Sequence, residues 1–276
     1  MMFLLIVGIG VASMSFELIF TAAATPKLVV LDAPQDGQHQ LQCYQNNQPV
    51  ALDRDGQLEV LVWNIYKQNR ANWQASLERF SQSSDLVLLQ EASLTDELRH
   101  WINASDWNGN AVDAFKVFDT SAGVLNLARE LPSRACAYIE VEPWLRLPKS
   151  GLYATYPLSD GRELAVVNIH AINFTYGTHE YRTQIERLTA ELESHPGPVI
   201  LGGDFNSWSQ DRMAVMSEAV ERMGLVAATF TPDARTEFIT GLALDHIYYR
   251  GLTLESAEAP ETDASDHNPL LARFRL

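Results

Sequence analysis

Short apolar runs far outnumber helical patterns in this chain, and that ratio constrains its fold more than any other feature. Segments 58–66, 85–90, 114–118, 123–128, 135–141, 151–156, 164–170, 198–202, 244–249 and 269–274 have the length and composition of buried or half-buried strands. Helical spacing is confined to Trp73, Leu77 and Phe80, to Tyr181, Ile185, Leu188 and Leu192, and to Met213, Met216, Val220 and Met223. A doubly wound sheet or a (β/α)₈ barrel needs a helix for each strand, so neither suits the count. Two packed β-sheets with helices on their outer faces do. The methionine stripe reads as core rather than as a cofactor contact.

With 276 residues the chain can bury a substantial core without disulfide or metal staples. No repeat or linker interrupts residues 58–276, which read as one domain. Residues 25–57, rich in Gln, Asp, Asn and Pro, read as an irregular lead-in. Ahead of them, Met1–Phe16 carries no charge, and Ala22-Ala23-Ala24 supplies a small-residue pattern. Residues 1–24 are therefore expected to be a signal peptide or membrane anchor, giving an exported (periplasmic) or membrane-anchored protein. The missing Lys or Arg before the apolar run and the presence of Glu17 weigh the other way, towards a cytoplasmic protein. Cys43 and Cys136 form no C-x-x-C pair. A disulfide after export and two buried free thiols both fit. The formal charge of −15 excludes broad, non-specific coating of nucleic acid, but not an enzyme that meets phosphate through a bound cation.

The functional signal lies where strands end. Trp63-Asn64, Leu89-Gln90-Glu91, Asn168-Ile169-His170, Gly203-Asp204-Phe205-Asn206 and Leu244-Asp245-His246 place a metal-binding or proton-moving side chain at the end of an apolar strand or beside it. Ser265-Asp266-His267-Asn268-Pro269 precedes the last strand. Ionisable groups beside buried strands are costly unless paired or metal-bound. Each has a bland alternative: Glu91 could cap the helix that follows in SLTDELRHWI, and Asp204-Phe205-Asn206 is also good turn chemistry. Six such placements in one chain point to a common rim.

In this order the motifs resemble those of the endonuclease/exonuclease/phosphatase superfamily. The similarity runs from about Leu58 to the C-terminus, its most specific pieces being GDFN and SDHNP. LVWNIYKQ and VNIHAIN look most like the YafD-like bacterial branch. The resemblance implies an α+β fold, a four-layer α/β/β/α sandwich with two packed, mainly antiparallel β-sheets, that cleaves phosphoesters with a divalent cation, usually Mg²⁺. Exonuclease-III-type abasic-site nucleases usually carry Tyr where this chain has His170, which leans the expectation towards the deoxyribonuclease, sphingomyelinase and phosphatase branches.

Elementary chemistry assigns the same residues. Mg²⁺, with Mn²⁺ as a substitute, takes oxygen ligands and needs only one or two carboxylates, so Glu91 is the expected ligand with Asn64 and Asp266 assisting. Asp204 is expected to activate or orient the attacking water, with Asn206 holding its geometry. His267, kept protonated by Asp245, would meet the charge gathering at phosphorus, and His170 would be a second phosphate donor or the acid for the leaving oxygen. Lys67 and Lys149 are the candidate substrate-binding cations, with Arg70 and Arg146 near them, and Trp208 could stack on a base or cover an acyl chain. The expected partner is a phosphodiester or phosphomonoester, nucleic acid among the options, with a lipid or sugar phosphate at a membrane as the alternative. No protein partner is indicated.

Overall fold

The computed structural model describes residues 20–22, 25–31, 42–117, 120–143 and 148–276. In chain order the strands are β1 (Phe20–Ala22), β2 (Leu28–Leu31), β3 (Cys43–Gln45), β4 (Gln57–Asn64), β5 (Leu86–Ser93), β6 (Asn108–Val117), β7 (Thr120–Ala128) and β8 (Arg134–Val141). They continue as β9 (Pro148–Pro157), β10 (Glu163–His170), β11 (Val199–Asp204), β12 (Val226–Ala227), β13 (Asp245–Arg250), β14 (Thr253–Glu258) and β15 (Leu270–Arg275). The α-helices are α1 (Trp73–Ser81), α2 (Asp96–Ala104), α3 (His179–Glu193) and α4 (Gln210–Arg222).

One sheet runs β1-β6-β7-β5-β4-β15-β14, with β2 also paired to β6, and the other runs β12-β13-β11-β10-β9-β8-β3. Among the described residues each sheet contains a single parallel strand pair, β4 with β5 and β10 with β11, and the other strand pairs are antiparallel. Parallel neighbours need a long crossover, and α1 and α3 supply it.

Side-chain alternation sorts the apolar residues into three cores. Val60, Val62, Leu88, Leu152, Val166 and Ile200 meet between the sheets. Their strand neighbours Leu61, Trp63, Val87 and Leu89 face Leu77 and Phe80 of α1 and Leu98 and Trp101 of α2. Val167, Ile169 and Leu201 face Tyr181, Ile185 and Leu188 of α3 and Val215 and Met216 of α4. The result is the expected α/β/β/α sandwich, whose inner strands are apolar on both faces because both are covered. Each fully buried Val, Leu or Ile contributes about 1.5–3 kcal/mol relative to exposure.

The structure adds detail to several expectations. The lead-in 25–57 is not wholly irregular: it supplies β2 and β3, which extend one edge of each sheet. On the first of these edges, Phe20–Ala22, within the segment read as a leader, pairs with β6. The rest of that segment lies outside the described residues, and among those described no helix is long and apolar enough to cross a membrane. Cys43 and Cys136 sit directly opposite each other on β3 and β8 and form a disulfide. The methionine stripe is core, as expected, through Met216 and Met223 with Val220 packed against them, and only Met213 is half-buried. Helix α2 is capped by the Thr95 hydroxyl, which accepts from Leu98 N–H at 3.2 Å, so Glu91 is free of that duty.

Candidate active site

Strand register assembles half of the site. His170 closes β10 opposite Asp204, which closes β11 opposite Asp245, the first residue of β13. Side chains opposite one another in a sheet share a face, so three ionisable groups stand in one row at one end. Gly203, just before Asp204, adopts φ +147°, and a Cβ there would lie 2.0 Å from Ile169 O, so only glycine lets β11 approach β10 at this point. From the loop before β15, His267 reaches back to place Nδ1 2.7 Å from Asp245 Oδ2 and Nε2 4.0 Å from Asp204 Oδ2.

The two oxygens of Asp204 have different surroundings. Oδ1 accepts from Asn206 N–H at 2.9 Å, an anchor to its own loop. Oδ2 accepts from Asn64 Nδ2 at 3.1 Å and lies 3.5 Å from His170 Nε2, so it faces the site. Burial raises the Asp204 carboxyl to about 6; the positive His267 pulls it down and Asp245 pushes it up. Burial alone would discharge His267, but the hydrogen-bonded carboxylate of Asp245 outweighs it, with help from Asp204, and the imidazole is pushed up to about 10. His170 goes the other way. Burial, then the charges of Lys149, Lys67 and His267, hold it well below the ordinary histidine range. At neutral pH the row therefore offers a cationic His267 and a neutral His170.

A different device builds the other half. β4 and β5 end beside the same cleft, with Asn64 opposite Gln90. The β5–β7 register then shifts between Leu89 and Ala92, and Glu91 takes the left-handed φ of +51°. Its carboxylate is held by the Lys67 ammonium and lies 3.8 Å from His170 Nε2. Lys67 itself sits in a turn where Tyr66, Lys67 and Gln68 all have positive φ. Backbone of this kind persists only where surroundings hold it, and it clusters at functional sites. Gln68 supplies the hold, since its amide both donates to Ser93 O and accepts from Ser93 N–H at 3.1 Å. Under the rim, Gln90 donates to Asn168 Oδ1 at 2.7 Å and Asn168 donates to Asn126 Oδ1 at 2.9 Å, stitching the sheets together. Asn126 carried no sequence signal, because an amide in an apolar strand reads as an isolated polar residue.

The structure thus gathers Asn64, Glu91, His170, Asp204, Asn206, Asp245, His267, Lys67 and Lys149. Lys149 lies on β9 rather than in the loop expected there, with Nζ 2.7 Å from His170 Nε2; burial lowers its pKa against the pull of Glu91 and Asp204. Asp266 is different. It is exposed, its carboxylate accepts from Ser265 Oγ at 3.3 Å, and it adds to the field on His267. Trp208 is half-buried, donating to Asn173 Oδ1 at 2.9 Å and packing on Phe238. Arg146 lies outside the described residues.

Ligand atoms of Asp204, Asp245 and His267 lie within 4.8 Å of one another. While Asp245 keeps the imidazole of His267 protonated it offers no lone pair, so in that state the trio presents a cationic Nε2 to the cleft, and a metal here would have to displace that proton. A hard cation is better served by Glu91, whose carboxylate is met by the Lys67 ammonium, with the side-chain oxygen of Asn64 at the end of the neighbouring strand β4. Asp245 Oδ1 is buried with no hydrogen-bond partner among the described residues, a further sign that this rim is built to receive a cationic or proton-donating group.

Residues 61–267 match the model of the endonuclease/exonuclease/phosphatase family. A UPF0294 protein of Vibrio cholerae is 55% identical over 273 residues, covering 99% of this chain and 96% of its own length. Among solved structures, the catalytic domain of human Nocturnin with bound sulfate has a TM-score of 0.61 at 17% identity, covering 82% of this chain and 97% of its own. ANGEL2, a 2′,3′-cyclic phosphatase, has a TM-score of 0.62 at 17% identity, covering 80% and 95%. At such identities the last two speak to the fold alone.

Proposed function

The chain belongs to the endonuclease/exonuclease/phosphatase family, whose members are phosphoester hydrolases, and from that premise we propose that it is a divalent-metal-dependent phosphodiesterase. One observation carries this reading: His170, Asp204 and Asp245 stand in one register row, closed by His267 and facing Asn64 and Glu91 across the cleft. Mg²⁺ held by Glu91 and Asn64 would supply charge neutralisation at the phosphoryl oxygens.

The protein groups do the rest. Asp204 Oδ2 orients the attacking water and takes its proton; a carboxyl near 6 suits that task at neutral pH. Asn206 keeps Oδ1 turned away, so Oδ2 alone faces the water. Cationic His267, held by Asp245, donates from Nε2 to a phosphoryl oxygen as negative charge builds. Lys149 binds a second oxygen. His170, neutral at rest, takes a proton from the Lys149 ammonium, whose pKa burial lowers, and gives it to the leaving oxygen, so that Lys149 is left as the neutral amine.

Hydrolysis of bis-p-nitrophenyl phosphate, plasmid DNA, single-stranded RNA, sphingomyelin and phosphoinositides, each with Mg²⁺ or with chelator, tests the reading. We expect chelator-sensitive cleavage of at least one diester. Activity that survives chelation, or cleavage of monoesters only, would sink it. A nucleic-acid substrate is our first choice, with a lipid phosphodiester as the second outcome.

We also propose export. The uncharged run at residues 1–16, the alanines at 22–24 and the Cys43–Cys136 disulfide support it, since disulfides persist in oxidising compartments. A reporter active only outside the cytoplasm, fused to the full chain, should be active. Activity confined to a cytoplasmic reporter would refute export.

A further inference from the structure

Arg212 sits on α4 with 1% of its surface exposed, outside the row of reacting groups, yet its guanidinium reaches both loops that leave that row. Nη1 donates to Ile172 O at 2.7 Å and to Asn206 O at 3.0 Å. Nη2 donates to Asn173 O at 2.6 Å and to Thr175 Oγ1 at 2.9 Å. The rings of Tyr181 and Trp208 lie 4.5 and 4.6 Å from the guanidinium carbon. Glu142, just beyond β8, is fully buried, and its Oε1 accepts from Asn173 N–H at 2.7 Å. The peptide unit joining Ile172 to Asn173 therefore has its C=O on a buried cation and its N–H on a buried anion. Its dipole is aligned with the field between two charges that a low-dielectric interior screens weakly.

The connection runs on into the site. Arg212 holds the carbonyl of Asn206, a residue at the left-handed φ of +46°. The same residue's N–H fixes Asp204 Oδ1, and its side-chain amide donates to Ala171 O at 2.9 Å, next to His170. A single guanidinium thus sets the conformation that turns Asp204 Oδ2 toward the cleft.

We propose that Arg212 and Glu142 form a buried ionic clamp on the Ile172–Asn173 peptide that positions Asp204 and His170 for the reaction. The proposal rests on the function argued above. Both are positioning residues, since neither meets the reacting atoms. Arginine is required at 212 because a lysine ammonium carries the charge but cannot span four acceptors in a plane.

The test uses the full chain with Arg212→Lys and the milder Glu142→Gln, which keeps size and an acceptor for Asn173 N–H but removes the charge. Two quantities are read: amide hydrogen exchange residue by residue, and kcat and KM on bis-p-nitrophenyl phosphate with Mg²⁺. In Arg212→Lys we expect the Asn173 and Asn206 amides to exchange about tenfold faster or more, while amides inside β10 and β11 are unchanged. We expect kcat to fall on the order of 10-fold to 10²-fold, with KM within about twofold, because the loss is one of orientation. Glu142→Gln should move both quantities the same way by less. Unchanged exchange at Asn173 and Asn206, or unaltered kcat with only a lower melting temperature, overturns the clamp. A wild-type chain that cleaves nothing overturns the function reading instead, and the exchange pattern then decides whether the clamp exists.

Discussion

The two parallel strand pairs, β4–α1–β5 in one sheet and β10–α3–β11 in the other, deliver polar residues to the same cleft by opposite means. In the second pair, His170 and Asp204 are register partners at the last rung, and Asp245 extends that rung onto a third strand. No unusual backbone torsion is needed at His170, Asp204 or Asp245, and only a glycine precedes them at Asp204. In the first pair the ladder stops at Asn64 and Gln90, and Glu91 reaches the cleft only through a register shift and a left-handed residue. A position set by ladder hydrogen bonds has little freedom. One set at a bulge can adjust its carboxylate, and bulges recur where a side chain must be re-aimed. The rigid half therefore suits a group that must aim a water within a fraction of an ångström, and the adjustable half suits a ligand that closes around an ion.

The largest effect should come from breaking the rigid half. Asp204→Asn keeps shape and an acceptor for Asn206 N–H but removes the proton acceptor at Oδ2. We expect turnover to drop on the order of 10²–10⁴-fold, with no recovery as Mg²⁺ is raised. A Mg²⁺ titration of kcat decides it, and restoration by metal would mean that Asp204 is a ligand and the two halves have been read in the wrong order.

Glu91→Gln should have a smaller, repairable effect. The bulge remains, Asp204 remains, and one anionic oxygen is lost, so apparent Mg²⁺ affinity should fall by about 10-fold to 10²-fold, as for lost support of a metal ligand. Excess Mg²⁺ or Mn²⁺ should then recover part of the rate. Isothermal titration of the variant with Mg²⁺ reads this without turnover, and an unchanged affinity would remove Glu91 from the metal site.

The contrast between the halves also explains what the sequence could and could not convey. Runs such as 58–66 and 164–170 marked strands correctly, because covering a sheet on both faces leaves a continuous apolar stretch. The polar residues at their ends were visible for the same reason: they break that stretch. What stayed hidden depends on partners far along the chain. Nothing local announces that Lys67 pairs with Glu91, or that Lys149 lies on a strand against His170. Asp266, expected to assist Glu91 as a metal ligand, is exposed, and its carboxylate accepts from Ser265 Oγ. Short edge strands such as β3 and β14 lacked apolar runs because solvent covers one side of them. Arg212 stood in an amphipathic helix where a charged residue normally signals the wet face.

The smallest effect on metal affinity, and the sharpest probe of the closed row, concerns Asp245 and His267. The folded-state imidazole is raised to about 10, whereas an unfolded-chain histidine titrates at about 6.5. Between these values the folded protein holds a proton that the unfolded chain has lost. Stability from this pair is therefore fully present below about pH 6.5 and lost as pH rises through about 10. Asp245→Asn removes the carboxylate that outweighs the burial penalty, so the imidazole should drop towards or below its ordinary value. Two consequences follow from the same shift. In chelator-treated protein, denaturant unfolding measured from pH 6 to 10 should decline with pH in the wild type and stay nearly flat in the variant. With Mg²⁺ present, the alkaline limb of kcat should move to lower pH, because Nε2 loses its proton sooner and no longer meets the charge at phosphorus. Metal affinity, which we assign to Glu91 across the cleft, should hardly change. A variant whose stability slope and rate profile both match the wild type would show that the Asp245–His267 contact is packing alone, and the rigid half would then consist of Asp204 and His170 without the charge relay.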